Sequence, residues 1–235
     1  MGEFTRAFLE AGNLLVVLDP DILGIVGLSL RISLSAVLIA ALIALPLGAT
    51  LALARFPGRG IPITILNAFM GLPPVVVGLA VYLFLSRAGP LGELGLLFTP
   101  AAMVIAQAIL VLPLIAALTR QTIEDLAAEY RDDLAALGAN RLRMLPTLLW
   151  EGRFSLTTGV LAGFGRAIAE VGAVIIVGGN IDGVTRVMTT AITLETSKGN
   201  LGMALGLGII LIGLTVGINA IAMAVTRFGR ARYGV

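Results

Sequence analysis

Apolar positions along the chain gather into five runs, each near the ~20 residues that a ~30 Å hydrocarbon core demands of a helix. The first lies within Leu30 to Ala54 and ends at Arg55-Phe56-Pro57-Gly58-Arg59-Gly60, a cluster of turn residues and positive charge. The second extends from about Ile61 to Ser86, the third from Pro100 to Leu118, the fourth from Phe154 to about Gly179 and the fifth from Leu201 to Thr226. This pattern predicts an all-α, polytopic membrane helical bundle of about five transmembrane helices. Pro73-Pro74 interrupts the second run, removing two backbone donors, and predicts a kink or break in mid-membrane. Such a break is tolerated only where protein or water covers the freed backbone.

Between the runs the polar residues also have structure. Thr119 to Arg153 is the one long polar island, holding 11 of the 30 charged residues. Within it Ile123, Leu126, Ala127, Tyr130, Leu134 and Leu137 recur at helical spacing, with Asp125, Glu129, Asp132 and Asp133 turned away, which predicts an amphipathic helix. Gly138 is placed to stop that helix and Asn140 to cap a second short one. Residues 1–21 mix Glu3, Arg6, Glu10, Asp19 and Asp21 with Phe4, Phe8, Leu9, Leu14, Leu15 and Val16, the pattern of an interfacial helix. The expected organisation is an N-terminal extracytoplasmic or interfacial segment over 1–29, a transmembrane domain over 30–226 that includes the polar loop 119–153, and a cytoplasmic tail over 227–235.

Composition strengthens the membrane assignment. With 58% hydrophobic residues, 13% charged residues and a mean hydropathy of +1.02, the chain is too apolar for an ordinary soluble domain. The formal net charge of +2 rests on arginine, Lys198 being the only lysine, and carries no nucleic-acid footprint. No cleavable signal peptide is expected, because the first apolar run is too long and residues 1–21 are net acidic. Ten arginines (Arg55, Arg59, five in the polar island, Arg227, Arg230 and Arg232) fall on one side of a five-span topology. Arg6, Arg87, Arg186 and Lys198 fall on the other. The arginine-rich side is expected to be cytoplasmic, which puts the N-terminus outside, the C-terminus inside, and the second polar segment, Asn180 to Asn200, outside. No internal repeat is evident, so a transporter built from two inverted halves gains no support.

Few residues could carry chemistry. Zero Cys and zero His remove thiol chemistry, imidazole bases and the usual zinc or haem ligands. Inside the runs the ionisable residues are Arg31, Arg166 and Glu170. A charge at the bilayer centre costs roughly 3 kcal/mol on insertion scales, so Arg166 and Glu170 are expected to be paired or wetted. Four apart on one helix face, they can neutralise each other as a structural ion pair. The alternative, compatible reading puts Arg166 on a pathway as an anion attractant with Glu170 as its orienting partner. Gly159, Gly163 and Gly172, then Gly202, Gly206, Gly213 and Gly217, have the spacing that lets helix backbones approach closely. Gly163-Phe164-Gly165 lies inside a span with no preceding strand, so it predicts no dinucleotide site, and no phosphate-binding loop is present. The chain is therefore expected to hydrolyse no nucleotide itself. An intramembrane enzyme would need paired acids, an activated nucleophile or metal ligands, and a membrane assembly protein would need no stoichiometric ATPase partner.

Asp132-Asp133-Leu134-Ala135-Ala136-Leu137-Gly138 resembles the EAA-type loop of ATP-binding-cassette (ABC) importer permeases. In that family an acidic residue, small residues and a glycine form a coupling helix that docks into a cleft of a separate ATPase. Asp132 stands where the family has Glu, six before the glycine, and Gly138 matches the glycine. Asp133 and Leu134 occupy two alanine positions, Glu151 replaces an expected proline, and Pro146 comes early. Residues 163–180, GFGRAIAEVGAVIIVGGN, are similar to the corresponding segment of permeases for molybdate, tungstate and sulfate. Residues 185–199, TRVMTTAITLETSKG, resemble the tungstate branch, and GLPPVVVG around Pro73 and Pro74 is also family-like.

The resemblance covers about Leu30 to Arg227. It implies a cytoplasmic coupling helix between spans 3 and 4, with Asp132, Ala135, Ala136, Leu137 and Gly138 contacting the ATPase. Further implications are a homodimer, two ABC ATPase subunits that bind the ATP-Mg, no cofactor in this chain, and an extracytoplasmic oxyanion-binding protein. Transport would be by alternating access across the cytoplasmic (inner) membrane, with tungstate as cargo and molybdate or sulfate as alternatives. Arg166, Glu170, Pro73 and Pro74 are the expected pathway residues. Thr189, Thr190, Thr193, Glu195 and Lys198 form a candidate binding-protein contact, with a solvated amphipathic helix as the alternative. Molybdate permeases are expected to carry an additional first span that is absent here.

Overall fold

The computed structural model describes residue 12, residues 20–130 and residues 144–233, with the backbone alone at 225 and 228–233. Within these residues the secondary structure is entirely helical: α1 Pro20–Leu53, α2 Gly60–Phe69, α3 Pro74–Leu85, a 3-10 turn Gly92–Leu94, α4 Pro100–Glu129, α5 Leu145–Glu151, α6 Arg153–Ile168, α7 Gly172–Gly178, α8 Met188–Ser197 and α9 Leu201–Tyr233. Three of them, α1, α4 and α9 through Ala224, are long and apolar enough to cross a membrane. Each of the pairs α2/α3 and α6/α7 qualifies as one more span that is bent at its middle, which gives up to five.

On α1 the small residues Ser29, Ser33, Ala36, Ala40 and Ala44 are buried together with Ile22, Ile32, Val37 and Leu53, while Leu34, Leu38, Leu42 and Ile43 stand exposed. Water offers no reason to turn leucine outward and alanine inward, whereas lipid does, because close approach of helix backbones drives association there. α1 begins at Pro20, ahead of the boundary expected at Leu30, and at 34 residues is about 50 Å long, more than a hydrocarbon core requires.

The chain divides into two compact units. The first comprises Met1–Ala36, Pro73–Gln107 and Ala167–Asn219; the second comprises Val37–Leu72, Ala108–Arg166 and Ala220–Val235. α4 runs without interruption from the third apolar run into the polar island, so the amphipathic helix expected there continues that run, with residues from 108 onward in the second unit. Its apolar face is as expected: Ile123 is fully buried with Ala49, Leu53 and Leu148, and Leu126, Ala127 and Tyr130 pack against that cluster. Asp125 and Glu129 are exposed. Leu134, Leu137, Gly138 and Asn140 lie outside the described residues, as do all five expected coupling residues.

Arg59 secures the same unit. Its Nε donates to Leu51 O at 2.9 Å and its Nη2 to Ala52 O at 3.0 Å, satisfying carbonyls at the end of α1 where the helix dipole is negative. Arg59 and Arg120 both pair with the Glu124 carboxylate. The Arg59 and Glu124 side chains are about a third exposed, which limits the electrostatic gain through solvent screening. Arg59→Met is expected to destabilise the protein by about 1 kcal/mol, lowering the thermal midpoint of the detergent-solubilised chain by roughly 3 °C. An unchanged midpoint would show that this clamp holds nothing.

Candidate functional site

Among the described residues, two helix breaks separate this chain from a plain bundle. The first follows from local sequence. α2 stops at Phe69, Pro73 takes extended angles (φ −64°, ψ 122°) as a residue before proline must, and Pro74 opens α3 at a bend of 100°. This is the break that Pro73-Pro74 predicted.

The second break was not legible in the sequence. The fourth span, expected to be continuous from Phe154 to Gly179, is interrupted between Ile168 and Gly172 and bends by 58°. No proline is involved. In the first unit, Gln107 Nε2 donates to Ala167 O at 2.9 Å, the Thr189 hydroxyl donates to Glu170 O at 2.8 Å, and the Ala173 N–H donates to Glu170 Oε1 at 3.0 Å. Two side chains distant in sequence, Gln107 and Thr189, and one local carboxylate, Glu170, thus satisfy backbone groups that the break releases, as a low-dielectric surrounding requires. Gln107 is 3% exposed and its Oε1 has no hydrogen-bond partner among the described residues. An amide in the middle of an apolar run was the only signal that could have pointed to it.

The break corrects the expected pairing of Arg166 with Glu170. A spacing of four places two side chains on one face only while the helix lasts, and α6 ends between them. The ion pairs among the described residues are Arg59–Glu124, Arg120–Glu124, Arg186–Asp182 and Lys198–Glu195. In the second unit, Arg166 Nη2 instead makes a long 3.4 Å hydrogen bond to Leu72 O, the carbonyl immediately before Pro73, and its buried Nε has no hydrogen-bond partner among the described residues. The guanidinium therefore meets the broken second span. In the first unit, Gly172 faces Val75, its added Cβ lying 3.0 Å from Val75 Cγ2. Arg31 is exposed on α1.

The glycines sort differently from expectation. In the fourth span, Gly159 meets Leu118, Gly163 meets Ile115, and an added Cβ at Gly163 would lie 2.7 Å from Ile115 Cδ1. In the fifth, an added Cβ at Gly213 or Gly217 meets nothing within 4 Å among the described residues, so close packing against those residues does not account for them.

On α8 the expected contact residues divide. Thr189 and Thr190 are buried, and the Thr189 hydroxyl is committed to Glu170 O, so burial removes both from any surface contact. Thr193 and Lys198 are exposed. Lys198 Nζ donates to Glu195 Oε1 at 2.8 Å and Asn200 Nδ2 to Glu195 Oε2 at 2.9 Å. Those hydrogen bonds, Lys198 first, hold the Glu195 carboxyl below its ordinary range. They stabilise the end of α8 above the usual glutamate pKa of about 4.3, and that contribution fades as pH falls below it.

No family model matches the chain. The chain is 41% identical over 221 residues to the tungstate uptake system permease protein TupB of Peptoclostridium acidaminophilum, covering 94% of this chain and 97% of that protein. It is 40% identical over 205 residues to a probable anion ABC transporter permease protein of Haloferax volcanii, covering 85% and 88% respectively. To the molybdenum transport system permease protein ModB of Escherichia coli it is 29% identical over 229 residues, covering 94% of this chain and 100% of that protein. The chain belongs to the ABC transporter permease family, in the group that contains these oxyanion permeases. It is a multi-pass membrane subunit and not itself the ATPase. Because the match to ModB extends over all of that protein, an additional first span does not distinguish it from this chain.

Proposed function

We propose that this chain is the permease of an ATP-driven importer whose cargo is tungstate. The observation that carries this reading is the 41% identity, over nearly the full length of both proteins, to a tungstate uptake permease. The chain works as a homodimer, since five spans are too few to enclose a pathway, with two ABC ATPase subunits on the cytoplasmic side. An extracytoplasmic oxyanion-binding protein delivers the cargo to the side bearing Thr193, Glu195 and Lys198. The N-terminus lies outside and the C-terminus in the cytoplasm, as the arginine count favours. ATP binding draws the ATPases together, the coupling segment at Asp132, Ala135, Ala136, Leu137 and Gly138 follows, and the pathway alternates between outward and inward access. Arg166, Pro73 and Pro74 border that pathway. A dianion faces a prohibitive barrier in low dielectric, and the Arg166 guanidinium, with donors to spare, lowers it.

Co-purification tests the assembly. Gly138→Pro is expected to lose the ATPase from detergent-solubilised complexes while the spans remain folded. Stoichiometric ATPase and full uptake in that variant would remove the coupling role. Calorimetric titration of the cognate binding protein with tungstate, molybdate and sulfate separates the cargoes. Tungstate should bind tightest, and preference for a cation or an amino acid would sink the oxyanion reading.

A further inference from the structure

Glu170 is hard to reconcile with a pathway for dianions if its carboxylate faces the cargo, because like charges repel. Its surroundings give it other work. The residue is 8% exposed. Its N–H donates to Ala167 O at 3.1 Å, its carbonyl accepts the Thr189 hydroxyl, and its Oε1 accepts the Ala173 N–H at 3.0 Å. α7 begins without any side-chain cap from Val171, the residue at its N-cap position, so its first amides would be orphaned. The Glu170 carboxylate takes that place, one residue earlier, at the positive end of the helix dipole.

The capped residue is also the one that α3 touches. A Cβ added to Gly78 would lie 2.7 Å from Ala173 Cα, so α3 and α7 pack with no slack. The far end of α7 is equally fixed: the Phe98 N–H donates to Val177 O at 2.9 Å, and Gly179 closes the helix in the left-handed region with φ 71°. α7 is thus a single packed piece whose start is set by one carboxylate.

We propose that Glu170 is a positioning residue, which caps α7 and fixes the seat of Ala173 against Gly78, and that it binds neither cargo nor a transported proton. The transport arm of its test rests on the permease reading; the structural arm does not. Glu170→Gln keeps an acceptor oxygen and loses the charge, whereas Glu170→Ala loses both. Both variants are assayed as full-length chains assembled with the ATPase and binding protein, by tungstate uptake against pH and by amide exchange over residues 172–178. Glu170→Gln should retain uptake within about threefold with an unchanged pH profile, whereas Glu170→Ala should lose uptake and exchange its α7 amides at least about tenfold faster. Accumulation of the glutamine variant alone would support capping too. Equal impairment of both variants, a flattened pH profile in Glu170→Gln, or normal exchange in Glu170→Ala would overturn the proposal. If the wild-type complex takes up no oxyanion, the permease reading fails while the exchange data still decide the cap.

Discussion

Gly48→Leu is expected to prevent the protein from accumulating in the membrane. In the second unit a Cβ at this position would lie 2.4 Å from Ala116 O, 2.8 Å from Thr119 Cβ and 3.1 Å from Arg120 N. The nearest obstacle is backbone, so no rotamer change relieves it, and α1 must move away from α4. Ala116 is fully buried and Thr119 is 2% exposed, which leaves the displaced atoms nowhere to go. Overpacking of cores typically costs about 1–3 kcal/mol, and a leucine against backbone belongs at or above the upper end of that range. Gly48→Ala should show a milder loss. Gly213→Leu, at a position with open space around it among the described residues, is the control and should accumulate normally. The amount and monodispersity of solubilised protein check all three, and a well-behaved Gly48→Leu protein would show that Gly48 does not pack against Ala116 and Thr119 as described.

Arg166→Ala is expected to reduce oxyanion uptake at least a hundredfold with little loss of protein. A unit charge about 6 Å from a dianion at an effective dielectric near 20 contributes roughly 5 kcal/mol, and half of that, after discounting for residual water, already gives a hundredfold. The structural loss is small by comparison, because the hydrogen bond that Arg166 Nη2 makes among the described residues, to Leu72 O, is long. Arg166→Lys keeps the charge and should recover part of the rate. Initial uptake rates in vesicles, normalised to assembled complex, separate the outcomes. Wild-type uptake by Arg166→Ala would remove this residue from the pathway.

What the sequence made legible was whatever depended on local chemistry. Run length located the apolar helices, three to five of them long enough to span, Pro73-Pro74 announced the first break, and the 3.6-residue spacing of Ile123, Leu126, Ala127 and Tyr130 defined the buried face of the polar helix. The break in the fourth span was hidden because most of what supports it is not local, and its one local support, the Glu170 carboxylate on the Ala173 N–H, leaves no signature in the apolar pattern. Gln107 and Thr189, from α4 and α8, satisfy its backbone across sequence separations of 60 and 19 residues. Once that break exists, the helical spacing of Arg166 and Glu170 has no meaning, and each takes a partner that periodicity could not suggest. Thr189 looked like a surface hydroxyl for a related reason: a polar side chain on an extramembrane helix is indistinguishable, in sequence, from one that serves a buried carbonyl. Arg59 was counted as a topogenic charge, and its capping of α1 needed the fold of the 55–60 turn to be seen.

Transport itself is tested most directly by tungstate uptake into proteoliposomes that contain this chain with its ATPase subunits, the binding protein being supplied outside. Uptake should require both ATP and the binding protein and should be competed by excess unlabelled tungstate more strongly than by molybdate or sulfate. An assembled, ATP-hydrolysing complex that accumulates none of the three oxyanions, or accumulation that proceeds equally well without ATP, would contradict an oxyanion importer.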